Sequence, residues 1–263
     1  MTAILRNEAG MLRRGPLVLV GILLLFAALY FSIFPDFADD AEALDGVLGA
    51  FPEELVEFFG IEALHTIEGF IAAEMYSFFW VVLVGIYFAY VSAGMIAGDI
   101  ESRKMDLTLS YPVSRESVIA QKVAALLVPL FILNVGVGSV VYVGALLIGE
   151  SINPVALALV HMLSIPYLLV CAGIGLVCSV VIDRQRTAQA AALVAVFMLW
   201  LVEGASNIDP DYEWIGYATP SRYYDETAIL VREEYAFLDA AILLAAFIFL
   251  VLVAVGLFVR RDL

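Results

Sequence analysis

The sequence predicts an all-α membrane protein, a bundle of six transmembrane helices, on three observations. Of its 263 residues, 63% are apolar, against roughly 45–50% in soluble domains, and mean hydropathy is +0.98. The apolar residues fall into six runs, and a run of about 20 residues crosses roughly 30 Å of hydrocarbon. Lys and Arg collect on alternate loops, as in multi-pass chains. A chain of this length leaves no room for a second folded domain beside such a bundle.

Residues 1–16 form the first expected element. Ile4, Leu5, Glu8, Met11 and Leu12 recur at helical spacing with Arg6, Arg13 and Arg14 around them. That pattern is an amphipathic helix lying against lipid at the inner membrane surface. The apolar run that follows has no small-residue cleavage site after it, so it reads as a retained span rather than a leader. The six-helix domain is expected over 17–263, with spans near 17–34, 77–97, 123–148, 155–182, 187–202 and 237–259. The fifth is short for a span and stops at Glu203. Pro129 and Pro166 fall inside the third and fourth, where they can kink a helix. Cys171 and Cys178 lie seven apart in an apolar run and read as small buried residues, because disulfide and metal-ligand spacings are missing.

Of 13 Lys and Arg, eleven fall on one side: Arg6, Arg13, Arg14, Arg103, Lys104, Arg115, Lys122, Arg184, Arg186, Arg260 and Arg261. Arg222 and Arg232 fall on the other. The positive-inside rule then places both termini and the 98–118 loop in the cytoplasm of a multi-pass protein of the cell membrane. Acidic residues go the other way. Residues 36–70 carry ten Asp and Glu with no Lys or Arg, and 204–236 carry seven acids. The external segments 35–76 and 203–236 are therefore strongly negative. The favoured reading is a solvated face in a high-salt organism, supported by a chain with two lysines; the sharper one is a cation-attracting vestibule. A net charge of −15 excludes nucleic acid as a partner, because phosphate binding needs clustered Lys and Arg.

Between the second and third spans lies AGDIESRKMDLTLSYPVSRESVIAQKV, residues 97–123. Asp99 is placed to cap a helix with Glu101 in its first turn. That helix would run through Met105, Leu107 and Leu109 until Pro112 pushes the preceding residue out of helical geometry. Ser114 is placed to cap the next helix. The plain alternative is a solvated loop, which has no need of two caps and a proline stop.

The stretch from Glu101 through Arg103, Lys104, Met105, Asp106, Leu107, Ser110, Pro112, Val113, Ser114 and Arg115 to Lys122 resembles the loop after the second span of ABC-2-type transporter permeases. Met105-Asp106 and Tyr111 depart from that family's usual residues. Met1–Arg14 is similar to its interface helix, and Phe51–Gly60 to its external proline-led helix. The run Tyr217-Ala-Thr-Pro220-Ser-Arg-Tyr223-Tyr224-Asp225 resembles the segment before the last span, especially in archaeal members, and Phe258-Val-Arg260-Arg261-Asp262-Leu263 resembles the common ending. The resemblance implies an exporter half-channel that pairs with a second permease and with ATP-binding subunits. It makes the helix near 100–110 a coupling helix, with Glu101, Arg103, Lys104, Met105, Asp106, Leu107, Pro112, Ser114 and Arg115 as candidate coupling residues. ATP and Mg would sit on the partner subunit: no G-x-x-x-x-G-K-[ST] phosphate loop occurs, and the dipeptide Gly-Lys is absent.

Gly85, Ala89, Ala93 and Ala97 are spaced by four beside Gly94 and Gly98, and Ala188, Ala191, Ala192 and Ala195 make a similar stripe. Small residues at this spacing let helices approach closely in lipid, inside the subunit or, as the sharper idea, at a dimer face. Glu74, Glu203 and Asp239 lie near span ends and are expected to reach water. The acidic, Tyr-rich stretch after the short fifth span suggests a re-entrant external gate, with Glu203, Pro220, Tyr223, Tyr224 and Asp225 as candidates. His65 and His161 read as solitary, and Ser-His-Asp, H-E-x-x-H and G-x-S-x-G sets are missing, which argues against an intramembrane enzyme. A different class remains open: a non-transporting membrane anchor or assembly factor that holds a soluble partner on the same charged helix.

Overall fold

A computed structural model of the chain describes residues 3–39, 56, 62–208 and 210–261. Six helical rods among them are long and apolar enough to cross a membrane. α1 (Ala3–Met11) is short, and α2 (Arg14–Asp39) is the first rod proper. The second rod has three parts: α3 (Ile67–Ile71), a π-helical stretch (Ala72–Val84) and α4 (Gly85–Glu101). α5 (Lys104–Leu109) is a single short helix. α6 (Arg115–Ala125) and α7 (Leu127–Leu147) make the third rod, and α8 (Pro154–Val181) and α9 (Gln185–Ile208) the fourth and fifth. The segment α10 (Glu213–Gly216) and α11 (Glu226–Leu230) leads to the last rod, α12 (Phe237–Val259). The external helix expected at Phe51–Gly60 lies outside the described residues, position 56 apart.

α8 and α4 form the heart of the bundle. α12 packs on α8, α9 on α4, and α2 pairs with α7 at the edge. Water does not drive such packing inside a bilayer, so close approach of small residues must. A Cβ on Gly175 of α8 would run into the Ala89 carbonyl and the Ser92 hydroxyl of α4. Ser179 Oγ then accepts the backbone N–H groups of Ile96 and Ala97, both at 2.9 Å. The stripe Ala89, Ala93 and Ala97 is wholly buried in this seam.

The rods differ from the expected spans in three places. α9 runs 24 residues to Ile208, so the fifth span is of full length. Glu203 does not end it, because Thr219 and Arg222 receive its carboxylate inside the protein. The second rod starts ten residues earlier than expected, at Ile67, where Thr66 Oγ1 accepts from Gly69 N. Its π winding turns Tyr76, Ser77, Trp80 and Val81 inward; π segments are rare and often mark functional sites. The third rod begins at Arg115 rather than 123 and is interrupted at Leu126, just before Pro129, which has no N–H to offer the preceding turn.

Candidate functional site

The end of the bundle that carries α5 holds the charged element. Asp99 does not cap a helix there. α4 continues through it to Glu101, and the turn comes at Ser102–Arg103, where Arg103 adopts φ 58°. The physical reason is Lys122. Its ammonium, 2% exposed, lies 2.5 Å from Glu8 Oε1 and 2.8 Å from Asp99 Oδ2. α1 is thereby clamped to α4 and α6, and Leu5 N adds a bond to Gln121 Oε1.

The candidate coupling residues divide into two groups. Four face inward or serve the fold. Met105 is buried among Ile96, Val118, Ile119, Leu176 and Phe258. Glu101 Oε2 accepts from Gln185 N at 2.8 Å and so caps α9. Arg115 donates to the carbonyls of Phe258 and Arg261, closing the C-terminal end of α12. Ser114 caps α6 through Ser117 N. The second group is open. Arg103, Lys104, Asp106 and Pro112 are exposed, and Leu107 and Tyr111 expose 69% and 70% of their surface. α5 is thus a short helix bolted down by Met105, with charged and apolar side chains presented outward.

The stripe on α4 packs within the chain. A Cβ on Gly94 or Gly98 would touch Gln189 and Gln185 of α9, and one on Gly85 would meet the Tyr167 hydroxyl at 3.0 Å.

The opposite end of the bundle holds a cleft of about 620 Å³. Its floor is built by the segment after α9. Thr219 Oγ1 donates to Glu203 Oε2 at 2.5 Å, and Arg222 pairs with Glu213 at 2.5 Å while its guanidinium covers the Tyr217 ring at 4.6 Å. Pro220 is buried, and Tyr223 OH donates to the Tyr217 carbonyl. Asp225 caps α11 through Ala228 N and pairs with Arg232. Tyr224 reaches deepest: its hydroxyl donates to the Val160 carbonyl, and its ring stacks on Tyr167 at 5.8 Å. Counted from Pro154 at about 1.5 Å per residue, those contacts lie roughly 9 and 20 Å along α8. Glu226, outside the six rods, accepts from Ser77 Oγ at 2.5 Å, and burial pushes its carboxyl up to about 7.

His161 is not solitary. Its Nε2 sits 2.9 Å from Tyr76 OH, and Trp80 stands edge-on at 4.7 Å. Nothing in the sequence near His161 announces this, because its partners come from a different rod. Glu203, expected to reach water, is 9% exposed. Ser77 and Glu226 were invisible as a pair for the same reason. Among the described residues no group of three or more His, Cys, Asp or Glu could hold a metal ion.

A family model described as an ABC-2 family transporter protein matches residues 2–263. No curated protein matches the chain.

Proposed function

The chain belongs to the ABC-2 family of transporter proteins, and from that premise we propose that it is the permease subunit of an exporter driven by separate ATP-binding subunits. A membrane transporter of this family works with such subunits. The finer reading adds a second permease copy across the translocation path, ATP and Mg held by the partner, and residence in the cell membrane with both termini in the cytoplasm. The observation that carries it is α5. Met105 anchors this helix in an apolar cluster, while Lys104, Asp106 and Leu107 stand exposed beside it. A helix so mounted transmits a push to α4 and α6 that a loose loop would absorb, and its outward charges suit directed pairs with a soluble partner.

In the same reading the segment 203–236 is the external gate, with Glu203, Pro220, Tyr223, Tyr224 and Asp225 holding it against α8 and α9. The depth of Tyr224 along α8 supports a partly re-entrant path, and non-helical backbone at membrane depth is tolerated where protein or water covers it. The test of the coupling reading is co-expression with the ATP-binding subunit from the same host. Leu107→Glu with Lys104→Glu should abolish co-purification and stimulated ATP hydrolysis while leaving membrane insertion intact. Undiminished ATPase association in that variant refutes α5 as the seat. The anchor reading predicts association without any ATP-dependent change at 203–236. Cysteines placed along that segment and probed with an impermeant thiol reagent distinguish the two, and full accessibility of every position would remove the re-entrant gate.

A further inference from the structure

The cleft at the end opposite α5 is chemically lopsided. Six carboxylates line it, from Glu62, Glu203, Asp225, Glu226, Glu234 and Asp239, against the guanidiniums of Arg222 and Arg232. The arginines are engaged: Arg232 with Glu62, Asp225 and Glu234, and Arg222 with Glu203 and Glu213. Among the described residues neither Glu226 nor Asp239 pairs with a cation. Aromatic faces join the acids, with Trp200, Tyr217, Tyr223 and Tyr224 in the same wall. Tyr217 already holds a guanidinium over its ring, and such rings attract organic cations in general.

A second cavity, of about 310 Å³, abuts the first. It is apolar, lined by Val170 and Ile174 of α8, Leu199 of α9, and Ile242, Ala246 and Phe249 of α12. Tyr217 and Tyr223 line both cavities and are held together by the bond from Tyr223 OH to the Tyr217 carbonyl. A charged compartment and an apolar one thus share one wall.

We propose that the joined cavities bind an amphipathic organic cation. Its head lies between Glu226, Asp239 and the Trp200 and Tyr217 rings, and its apolar body lies among α8, α9 and α12. The charge balance excludes anions. The metal alternative fails on ligand geometry, since no three metal-ligating side chains converge among the described residues. A small hydrophilic cation leaves the apolar cavity without purpose. The charged compartment alone falls within the roughly 300–1,000 Å³ of drug-sized sites. Of the two readings of the external acids, this selects the cation-attracting one for the cleft, and it deepens the permease reading by naming a substrate class.

The experiment uses the full chain in lipid nanodiscs at pH 8, where Glu226 is ionised, and equilibrium dialysis of decyltriphenylphosphonium, with empty nanodiscs subtracted. Methyltriphenylphosphonium keeps the head without the tail, and tetraphenylborate keeps the rings with the opposite charge. Expected are one saturable site per chain, at least about tenfold weaker binding of the methyl compound, and no saturable binding of the borate. Glu226→Gln keeps a group that can bond Ser77 and should weaken decyl binding about tenfold or more; Asp239→Asn should act in the same direction. Phe249→Ser should weaken the decyl compound and leave the methyl compound unchanged. Uptake equal to that of empty nanodiscs, equal binding of the borate, or wild-type binding in both carboxylate variants overturns the proposal. If one carboxylate variant fails to fold, the three probes on the wild-type chain decide the matter. Binding without ATPase stimulation keeps the site and sinks the permease reading; stimulation without binding does the reverse.

Discussion

Replacing Lys122 by Met should loosen the protein by an amount the structure lets one work out. The ammonium is 2% exposed and faces Glu8 at 2.5 Å and Asp99 at 2.8 Å, carboxylates that are 13% and 21% exposed. Each pair attracts by about 6 kcal/mol at an effective dielectric of 20, but desolvating the ammonium offsets most of that. The cost of Lys122→Met comes from what it leaves behind, two neighbouring carboxylates with no cation. Breaking a buried pair this way costs about 3–5 kcal/mol. Partial exposure lets both acids rehydrate, which brings the figure to about 2–3 kcal/mol. At roughly 2–4 °C per kcal/mol for large domains, Tm should fall by about 5–10 °C. Thermal unfolding of the chain in nanodiscs, followed by intrinsic fluorescence, reads this directly. The triple variant Glu8→Gln, Asp99→Asn, Lys122→Met carries no lone charge and should recover most of the loss. A single variant that melts with the wild type, or a triple variant no better than the single, would refute the account of Lys122 as a clamp on α1.

Further outcomes follow from other contacts. Glu226 prefers its neutral form when folded, since burial raises its carboxyl to about 7 from an ordinary 4.5. Its contribution is therefore complete below about pH 4.5 and is lost as pH rises through 7; between pH 5 and 8 the wild type should lose Tm relative to Glu226→Gln, and parallel profiles would sink the assignment. Glu101→Ala removes the cap on α9 and should cost about 1 kcal/mol, measured as faster hydrogen exchange in the first turn after Gln185. Gly175→Leu must push α8 from α4 and should cost about 3 kcal/mol or prevent folding, whereas Gly256→Leu, whose Cβ meets nothing within 4 Å, should be neutral in the same melt.

Much of the fold was legible in one dimension. A run of apolar residues bounded by charges specifies a span because lipid cannot satisfy a free backbone, and this is a property of the run itself. Ser114 announced its cap for the same local reason. The errors share a cause. Asp99 sits where a cap would sit, yet Lys122 draws its carboxylate into a triad with Glu8, 114 residues from the lysine. Glu203 looked like the end of a span because its donors, Thr219 and Arg222, lie beyond a turn that the apolar pattern does not describe.

What the sequence by itself determined is the number of spans, their order, and the position of a short charged helix between the second and third. Only the tertiary structure decided which charges are free to meet another molecule. Glu101 and Arg115 are engaged by Gln185 and by the end of α12, Met105 is buried in an apolar cluster, and Lys104, Asp106 and Leu107 are left facing out. It also brought Ser77 to Glu226 across 149 residues and set the acidic cleft beside an apolar one. Local chemistry states what a side chain can do. Its partner is chosen by helices that meet in space, and in a six-helix bundle those partners come from distant parts of the chain.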